Sequence, residues 1–296
     1  MSHQLINQLP TLPIRPSDAH KGTFGRVLIM AGSRGMSGAA ALSGLGALRG
    51  GAGLVYLAVP REIQGIVGGI EPSYLTIGCP ASIDGQFTED ALLRLEDDIA
   101  GCNAMACGPG LGQSEELQHI VGWLLVNVAK PMVVDADALN LLAEHLEWLD
   151  KSPAPRVLTP HPGEFARLLD TDTRTVQAHR VDLAVEFAAR HKVILVLKGS
   201  GTVITDGKHV AINPTGNSGM ATGGTGDVLT GLVTALLAQG LPPFEAARLG
   251  VYLHGLAGDL AAEELSQPGL IASDLPRYLG PAWRTLSAEL AQPRSN

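Results

Sequence analysis

Between Asn217 and Asp227 the chain reads Asn-Ser-Gly-Met-Ala-Thr-Gly-Gly-Thr-Gly-Asp, and the apolar stretch Val228–Ala238 follows without a break. Gly219, Gly223, Gly224 and Gly226 lack the Cβ atoms that would hold a ligand off the backbone, so the amides of this loop are open to one. Apolar residues at Val228, Leu229, Leu232, Val233, Leu236 and Leu237 have the spacing of a buried helix face, which stops at Gly240 before Pro242 and Pro243. The loop is therefore a helix N-terminus, where free N–H groups and the positive end of the helix dipole suit a phosphate or a developing oxyanion. A carboxylate at that place needs a reason. Asp227 repels an anion unless it holds a cation or takes a proton from an attacking hydroxyl; the plainer alternative is that it caps the helix.

Five other clusters carry candidate chemistry. Lys198-Gly-Ser-Gly-Thr202 offers open amides, two hydroxyls and a cation, which suit a nucleotide phosphate, although a hairpin turn has the same composition. It is not a Walker loop, since no Gly-x-x-x-x-Gly-Lys-Ser/Thr string occurs. His161-Pro-Gly-Glu164 sets an imidazole and a carboxylate on a tight turn that opens a helix, and His161 alone reads more readily as a loop residue than as a ligand. Asp135-Ala-Asp-Ala-Leu-Asn140 places two carboxylates at a strand end, as ligands for Mg²⁺ carrying phosphates or with Asp137 as a helix cap. Gly32-Ser-Arg-Gly-Met-Ser-Gly38 and Gly108-Pro-Gly-Leu-Gly112 are Gly-rich turns that line a pocket or merely reverse the chain.

These clusters fall just after short apolar runs of strand length, at Arg26–Ala31, Ala104–Cys107, Met132–Asp135, Val157–Thr159 and Val193–Leu197. Helical patterns separate them, at Ala39–Leu48, Glu115–Val128, Ala138–His145, Phe165–Leu169 and Arg174–His191. Thr202–Thr205 and His209–Ile212 form a hairpin about Asp206-Gly207, and helices over Phe244–Glu264 and Asp274–Leu290 close the chain. Repeated strand-then-helix units give a largely parallel sheet covered on both faces, with ligands beyond the carboxyl ends of its strands. A nicotinamide dehydrogenase does not fit. The first turn has Gly-x-x-Gly-x-x-Gly spacing, and the strand Leu54–Val59 ends in Pro60-Arg61 where a ribose-binding acid is required. Pro10, Pro13 and Pro16 exclude a regular helix near the start of the chain.

Composition narrows the class further. With 45% apolar and 17% charged residues, the chain of 296 residues buries a core, and its 36 glycines exceed a usual ~7% share. A formal charge of −8, with no Lys/Arg-rich run, argues against a nucleic-acid surface. Cys79, Cys102 and Cys107 have neither the even count of a disulfide framework nor metal-ligand spacing. No signal pattern opens the chain, and no apolar run reaches the roughly 18 residues of a membrane span. A cytoplasmic enzyme without membrane partners is expected.

Gly-Gly-Thr-Gly-Asp before an apolar helix resembles the anion hole and catalytic base of ribokinase-like small-molecule kinases. The longer string from Gly216 to Asp227, with His161-Pro-Gly-Glu164, Lys198-Gly-Ser-Gly-Thr202 and the two Gly-rich turns in order, is similar to the ADP-dependent NAD(P)H-hydrate dehydratases. The resemblance runs from about Lys21 to beyond His254. It implies a ribokinase-like three-layer α/β/α sandwich with a largely parallel sheet, as one domain over residues 21–292 after an extension of residues 1–20. It also implies that Asp227 is the base, and that Ala39, Gly110, His161 and Asp227 meet the hydrated dinucleotide, NADHX or NADPHX. Lys198, Gly199, Ser200, Gly201, Thr202 and Gly226 would hold ADP, the phosphoryl donor. Gly223, Gly224, Thr225 and Gly226 would form the anion hole, and Glu164 would organise Mg²⁺ through water. A homotetramer is implied as well. Only 20 residues precede Lys21, so dehydratase activity without the epimerase activity fused to many bacterial members is expected. Two rivals stand beside this reading, an ATP-dependent thiazole or pyrimidine vitamin-precursor kinase and a non-catalytic nucleotide-binding protein.

Overall fold

A computed structural model describes residues 3–8 and 11–291, so Pro10 and the expected domain end at residue 292 lie outside the described residues. The first half runs β1 (Gln4–Leu5), β2 (Arg26–Met30), α1 (Ser37–Arg49), β3 (Leu54–Pro60), α2 (Arg61–Gly68), β4 (Leu75–Cys79), α3 (Asp90–Gly101), β5 (Ala104–Cys107), α4 (Glu115–Asn127) and β6 (Met132–Val134). Then come α5 (Asp137–Leu142), α6 (Glu147–Asp150), β7 (Arg156–Leu158), α7 (Pro162–Leu168), α8 (Thr173–Ala178), α9 (Arg180–His191), β8 (Ile194–Leu197), β9 (Val203–Thr205) and β10 (His209–Ile212). Three helices close the chain, α10 (Thr225–Ala238), α11 (Pro243–Leu265) and α12 (Leu275–Ala291).

The strands form one sheet in the order β1-β10-β9-β8-β7-β6-β5-β2-β3-β4. Only β9 runs against its neighbours. Helical crossovers link the parallel strands and cover both faces, which is why the central strands are apolar apart from Arg26 and Arg156 at the starts of β2 and β7. Leu28, Met105, Met132, Leu158 and Leu195 point into one core, with α3, α4, α5, α7 and α9 over it. Val27, Ala104, Ala106, Val133, Val157 and Val196 point into the other, beneath α1, α10, α11 and α12. The chain is thus a three-layer α/β/α sandwich with a mostly parallel sheet.

The second face carries the smaller residues because α10 lies close upon it. Every residue from Val228 to Ala238 is buried, as in a helix that has no solvent face. Contact with α1 is backbone to backbone. A Cβ on Gly231 would stand 1.8 Å from the Ser43 carbonyl oxygen, and one on Gly46 would stand 2.2 Å from that of Val228.

Two features depart from the sequence expectations. The helix expected over Arg174–His191 is two helices broken at His179, whose backbone leaves the helical region at φ −132° and ψ 35°. The apolar periodicity continues through the break, so it leaves no mark in the pattern; the turn lets the Arg180 guanidinium reach the carbonyls of Leu197 and Lys198 at 2.9 and 3.3 Å. Residues 1–20, expected as an extension, also contribute to the sheet through β1, which pairs with β10 in parallel. Arg15 further stacks over the Phe24 ring at 3.6 Å.

The α1–α10 contact generates a stability test. Gly231→Ala should cost about 3 kcal/mol or more in urea unfolding, because neither backbone can retreat from the added methyl. Gly65→Ala in α2, where a Cβ meets nothing within 4 Å, should be neutral or stabilising. Equal effects at the two glycines would contradict the packing.

Candidate active site

Five parallel strands, β2, β5, β6, β7 and β8, end on one side of the sheet. Each delivers one of the polar or Gly-rich clusters to that side. The loops are tied to one another: the Ser33 hydroxyl donates to the Gly110 carbonyl at 2.8 Å, and the Gly32 amide to the Pro109 carbonyl at 2.8 Å. Gly112 donates its amide to Asp137 Oδ2 at 2.8 Å. Asp137 therefore braces the neighbouring turn, and α5 has Ala136 as its N-cap without a side-chain cap bond. Gly108 must be glycine, since at φ 135° a Cβ would fall 1.8 Å from the Asp135 carbonyl oxygen. Ala39, in the first turn of α1, and Gly110 come together: a Cβ on Gly110 would stand 2.9 Å from that of Ala39.

The loop before α10 is folded by Thr225, whose hydroxyl donates to the carbonyls of Met220 and Thr222 at 3.1 Å each. Gly224 caps the helix at φ 93° and offers no side chain. Among the described residues, nothing accepts from the amides of Gly223, Gly224, Thr225 and Gly226. Four adjacent donors at the positive end of a helix of 14 residues form a place for an anion. Asp227 sits at the third helical position and makes no cap bond, which removes the capping alternative.

Around Asp227 gather three more carboxylates and one ammonium. Asp135, at 1% exposure, accepts from Lys198 Nζ at 2.8 Å and, through its other oxygen, from the Thr230 hydroxyl at 2.7 Å. Glu164 Oε2 lies 3.9 Å from the same ammonium and accepts the His161 amide at 2.7 Å. Burial pushes the Asp227 carboxyl up to about 7, with Asp135, Asp137 and Glu164 adding to the shift and Lys198 opposing it. Burial likewise raises Glu164, against the pull of Lys198. For Lys198 burial works against the charge, but Asp135 and Glu164 outweigh it and hold the ammonium above its ordinary value.

The remaining candidates lie on the rim. His161 caps α7, with Nδ1 accepting the amides of Gly163 and Glu164 at 3.0 and 3.1 Å. Its ring is more than half exposed, and Nε2 lies 3.4 Å from Glu164 Oε1. The Lys198–Thr202 loop divides its functions. Its ammonium turns inward to Asp135, while Gly199 and Gly201, at φ 134° and 61°, turn the backbone around exposed Ser200. Thr202 Oγ1 closes the turn on the Gly199 carbonyl at 2.9 Å. A Cβ on Gly226 would stand 3.2 Å from Lys198 Nζ, which places the anion loop beside this ammonium.

Among the described residues no group of three or more His, Cys, Asp or Glu is arranged to hold a metal ion. The donor set suits Mg²⁺ arriving with phosphates and water, not one held in a protein cage. Sequence reasoning missed Arg180, which orients the Lys198 loop, and Thr230, which holds Asp135. Neither lies in a recognisable string.

The profile of the NAD(P)H-hydrate dehydratase family matches residues 27–280. The chain belongs to that family. A bifunctional NAD(P)H-hydrate repair enzyme of Moorella thermoacetica is 46% identical over 94% of this chain and 53% of its own length. The chain therefore spans about half the length of several curated relatives it matches. The ADP-dependent (S)-NAD(P)H-hydrate dehydratase of Bacillus subtilis is 37% identical over 93% of this chain and 94% of its own. A solved structure of the Bacillus subtilis ADP/ATP-dependent NAD(P)H-hydrate dehydratase, co-crystallised with ATP and Mg²⁺, superposes with a TM-score of 0.79 at 33% identity, covering 93% of this chain and 95% of that one. A ribokinase-like superfamily protein from Enterococcus faecalis superposes at 0.80 with 26% identity over 96% of each chain, so the sandwich is ribokinase-like. Within this family the fold, like the motif order, agrees with the sequence expectation.

The raised Asp227 carboxyl makes a prediction about stability. Its folded value, near 7, lies above that of an ordinary carboxylate, so its neutral form contributes stability that is complete at low pH and lost as pH rises to about 7. Asp227→Asn stays neutral throughout. Its advantage in thermal midpoint over the parent should grow between about pH 4 and 7 and then level. A constant difference across that range would show that Asp227 ionises as an exposed residue does.

Proposed function

We propose that the chain catalyses ADP-dependent dehydration of (S)-NAD(P)H-hydrate, returning NADH or NADPH with AMP and phosphate. The observation that supports this most directly is a buried carboxyl near neutrality, Asp227, beside four unpaired amides at the start of α10. That pairing suits phosphoryl transfer to a hydroxyl. Asp227 takes the proton of the ring hydroxyl, whose oxygen bonds to the β-phosphorus of ADP while the bond to the bridging oxygen breaks and AMP leaves. Hydroxide is a poor leaving group and phosphate a good one. Loss of phosphate together with a neighbouring ring proton restores the double bond. The amides of Gly223, Gly224, Thr225 and Gly226 stabilise charge on the transferred group, and Lys198 adds a positive charge at the same place.

The rim then divides between two ligands. The exposed His161 ring contacts the hydrated nicotinamide, with Ala39 and Gly110 forming a close wall for that substrate. The backbone of Gly199–Thr202, with Gly226, holds the nucleotide. Mg²⁺, when bound, would neutralise phosphate charge, with Glu164 contacting it through water. A cytoplasmic homotetramer is part of the same proposal, and exposed Ile66, Ile70 and Leu75 around the edge strand β4 offer apolar surface for assembly. An ATP-dependent vitamin-precursor kinase shares the anion loop, but the His161-Pro-Gly-Glu164 turn and the family membership favour the dehydratase.

The test is return of reduced-nicotinamide absorbance on incubation with hydrated NADH or NADPH, Mg²⁺ and either ADP or ATP. Turnover should require the nucleotide and should decline as pH falls below about 7, where Asp227 acquires its proton. Asp227→Asn should lower it by about 10²–10⁴ while ADP still binds. Near-normal turnover in that variant would end the assignment of the base. His161→Ala should weaken hydrated NADH and spare ADP. Because the Lys198 ammonium meets Asp135 and Glu164, Lys198→Ala should reduce turnover as well as ADP affinity. Loss of ADP affinity in His161→Ala with substrate affinity intact would refute the division.

A further inference from the structure

The anion loop does not hold its shape by its internal bonds alone. The amides of Gly223–Gly226 point at no protein acceptor among the described residues, and four glycines leave the backbone with wide conformational freedom. What fixes it is a stretch of α11, Tyr252–Asp259, that the sequence motifs leave without a task. At the loop's entrance Asp259 Oδ2 accepts the Gly216 amide at 2.8 Å, and Oδ1 accepts from Asn217 Nδ2 at 2.9 Å. Asn217 Oδ1 in turn accepts the Gly219 amide at 2.9 Å. Just before it, the Thr215 hydroxyl donates to the Tyr252 carbonyl at 2.9 Å. At the exit, His254 Nε2 lies 2.9 Å from the Thr225 carbonyl oxygen.

Between these ties the loop lies flat on the helix. A Cβ on Gly255 would stand 2.3 Å from the Thr215 hydroxyl, and one on Gly258 would stand 2.2 Å from Met220 Sδ. Both glycines are thus required for contact with the loop. His254 is buried, and burial pulls its ring down to about 4, so the ring is neutral and its Nε2–H is the donor to Thr225.

We propose that His254 and Asp259 are positioning residues for phosphoryl binding, holding the two ends of the Gly216–Thr225 loop on α11 so that the amides of Gly223–Gly226 converge on one anion. This rests on the reading of that loop as the phosphate site. The Thr225 carbonyl is the lever. Its peptide plane includes the Gly226 N–H, so a hydrogen bond that fixes the carbonyl on the helix side fixes that amide on the ligand side. Without the imidazole the plane is held by the helix alone, and part of the preorganisation that makes such donors effective is lost.

The experiment compares His254→Leu, His254→Gln and Asp259→Asn with the parent by ADP calorimetry, steady-state kinetics and circular dichroism. His254→Leu should lose roughly tenfold in ADP affinity or in kcat while its KM for hydrated NADH stays near the parent value. His254→Gln, which retains an N–H donor, should recover most of that loss. Asp259→Asn keeps the side-chain shape but replaces an acceptor with a donor, and should weaken ADP several-fold; it carries the test if His254→Leu does not fold. The inference is overturned if the folded His254→Leu protein binds and turns over like the parent, or if Leu and Gln are equally impaired. It is equally overturned if Asp259→Asn leaves ADP affinity unchanged. Activity in the parent with ADP separates these outcomes from failure of the dehydratase reading itself.

Discussion

Helix α10 has no face for water, and that constraint organises the molecule. Its sides pack on the sheet, on α1 and on α11, so its N-terminus has a single permitted position. Gly46 and Gly231 set that position by letting the α1 and α10 backbones touch. Apolar burial, which is non-directional, is thereby converted into placement of four amides and a carboxylate. The small residues on the sheet face beneath, Ala104, Ala106 and Val133 among them, are the complement of this close approach.

Charge is arranged around the same helix end with a deliberate imbalance. Asp135, Glu164 and Asp227 surround one ammonium, and Asp135 is nearest to it. A buried Asp135–Lys198 pair is weak evidence of stabilisation, because desolvation of both ions offsets much of their attraction. Its clearer effect is on Asp227. With the lysine committed first to Asp135, Asp227 keeps only part of its field, and burial leaves the carboxyl near 7, which suits the base proposed for it. The same group costs stability once it ionises, a common tension between a functional site and its fold.

The clusters were legible in sequence because each lies within a short string whose types have few physical uses. Four glycines before an apolar helix announce exposed amides, and polar groups after apolar runs announce strand ends. Partners distant in sequence were not legible. Nothing near Lys198 says that its ammonium turns to Asp135, 63 positions away, or that Arg180 will support its loop. His254 and Asp259 sit in an ordinary-looking amphipathic helix, and only the crossing of α11 beneath the loop gives them a role. The break at His179 escaped detection for a related reason: hydrophobic period reports which side is buried, and both helices bury the same side.

One consequence of the charge arrangement bears on what can bind. An anion drawn to the amides of Gly223–Gly226 arrives beside a carboxylate whose affinity for protons is already raised. On its own the anion would raise it further, and by reciprocity an ionised Asp227 would weaken the anion's binding. Lys198 offsets this only in part, since Asp135 and Glu164 compete for its charge. A polyphosphate that brings its own cation escapes the conflict, because the pair approaches with less net charge and leaves Asp227 free to ionise. On the proposed function, the sharing of Lys198 between Asp135 and Glu164 is a reason for the nucleotide to bring a cation with its phosphates.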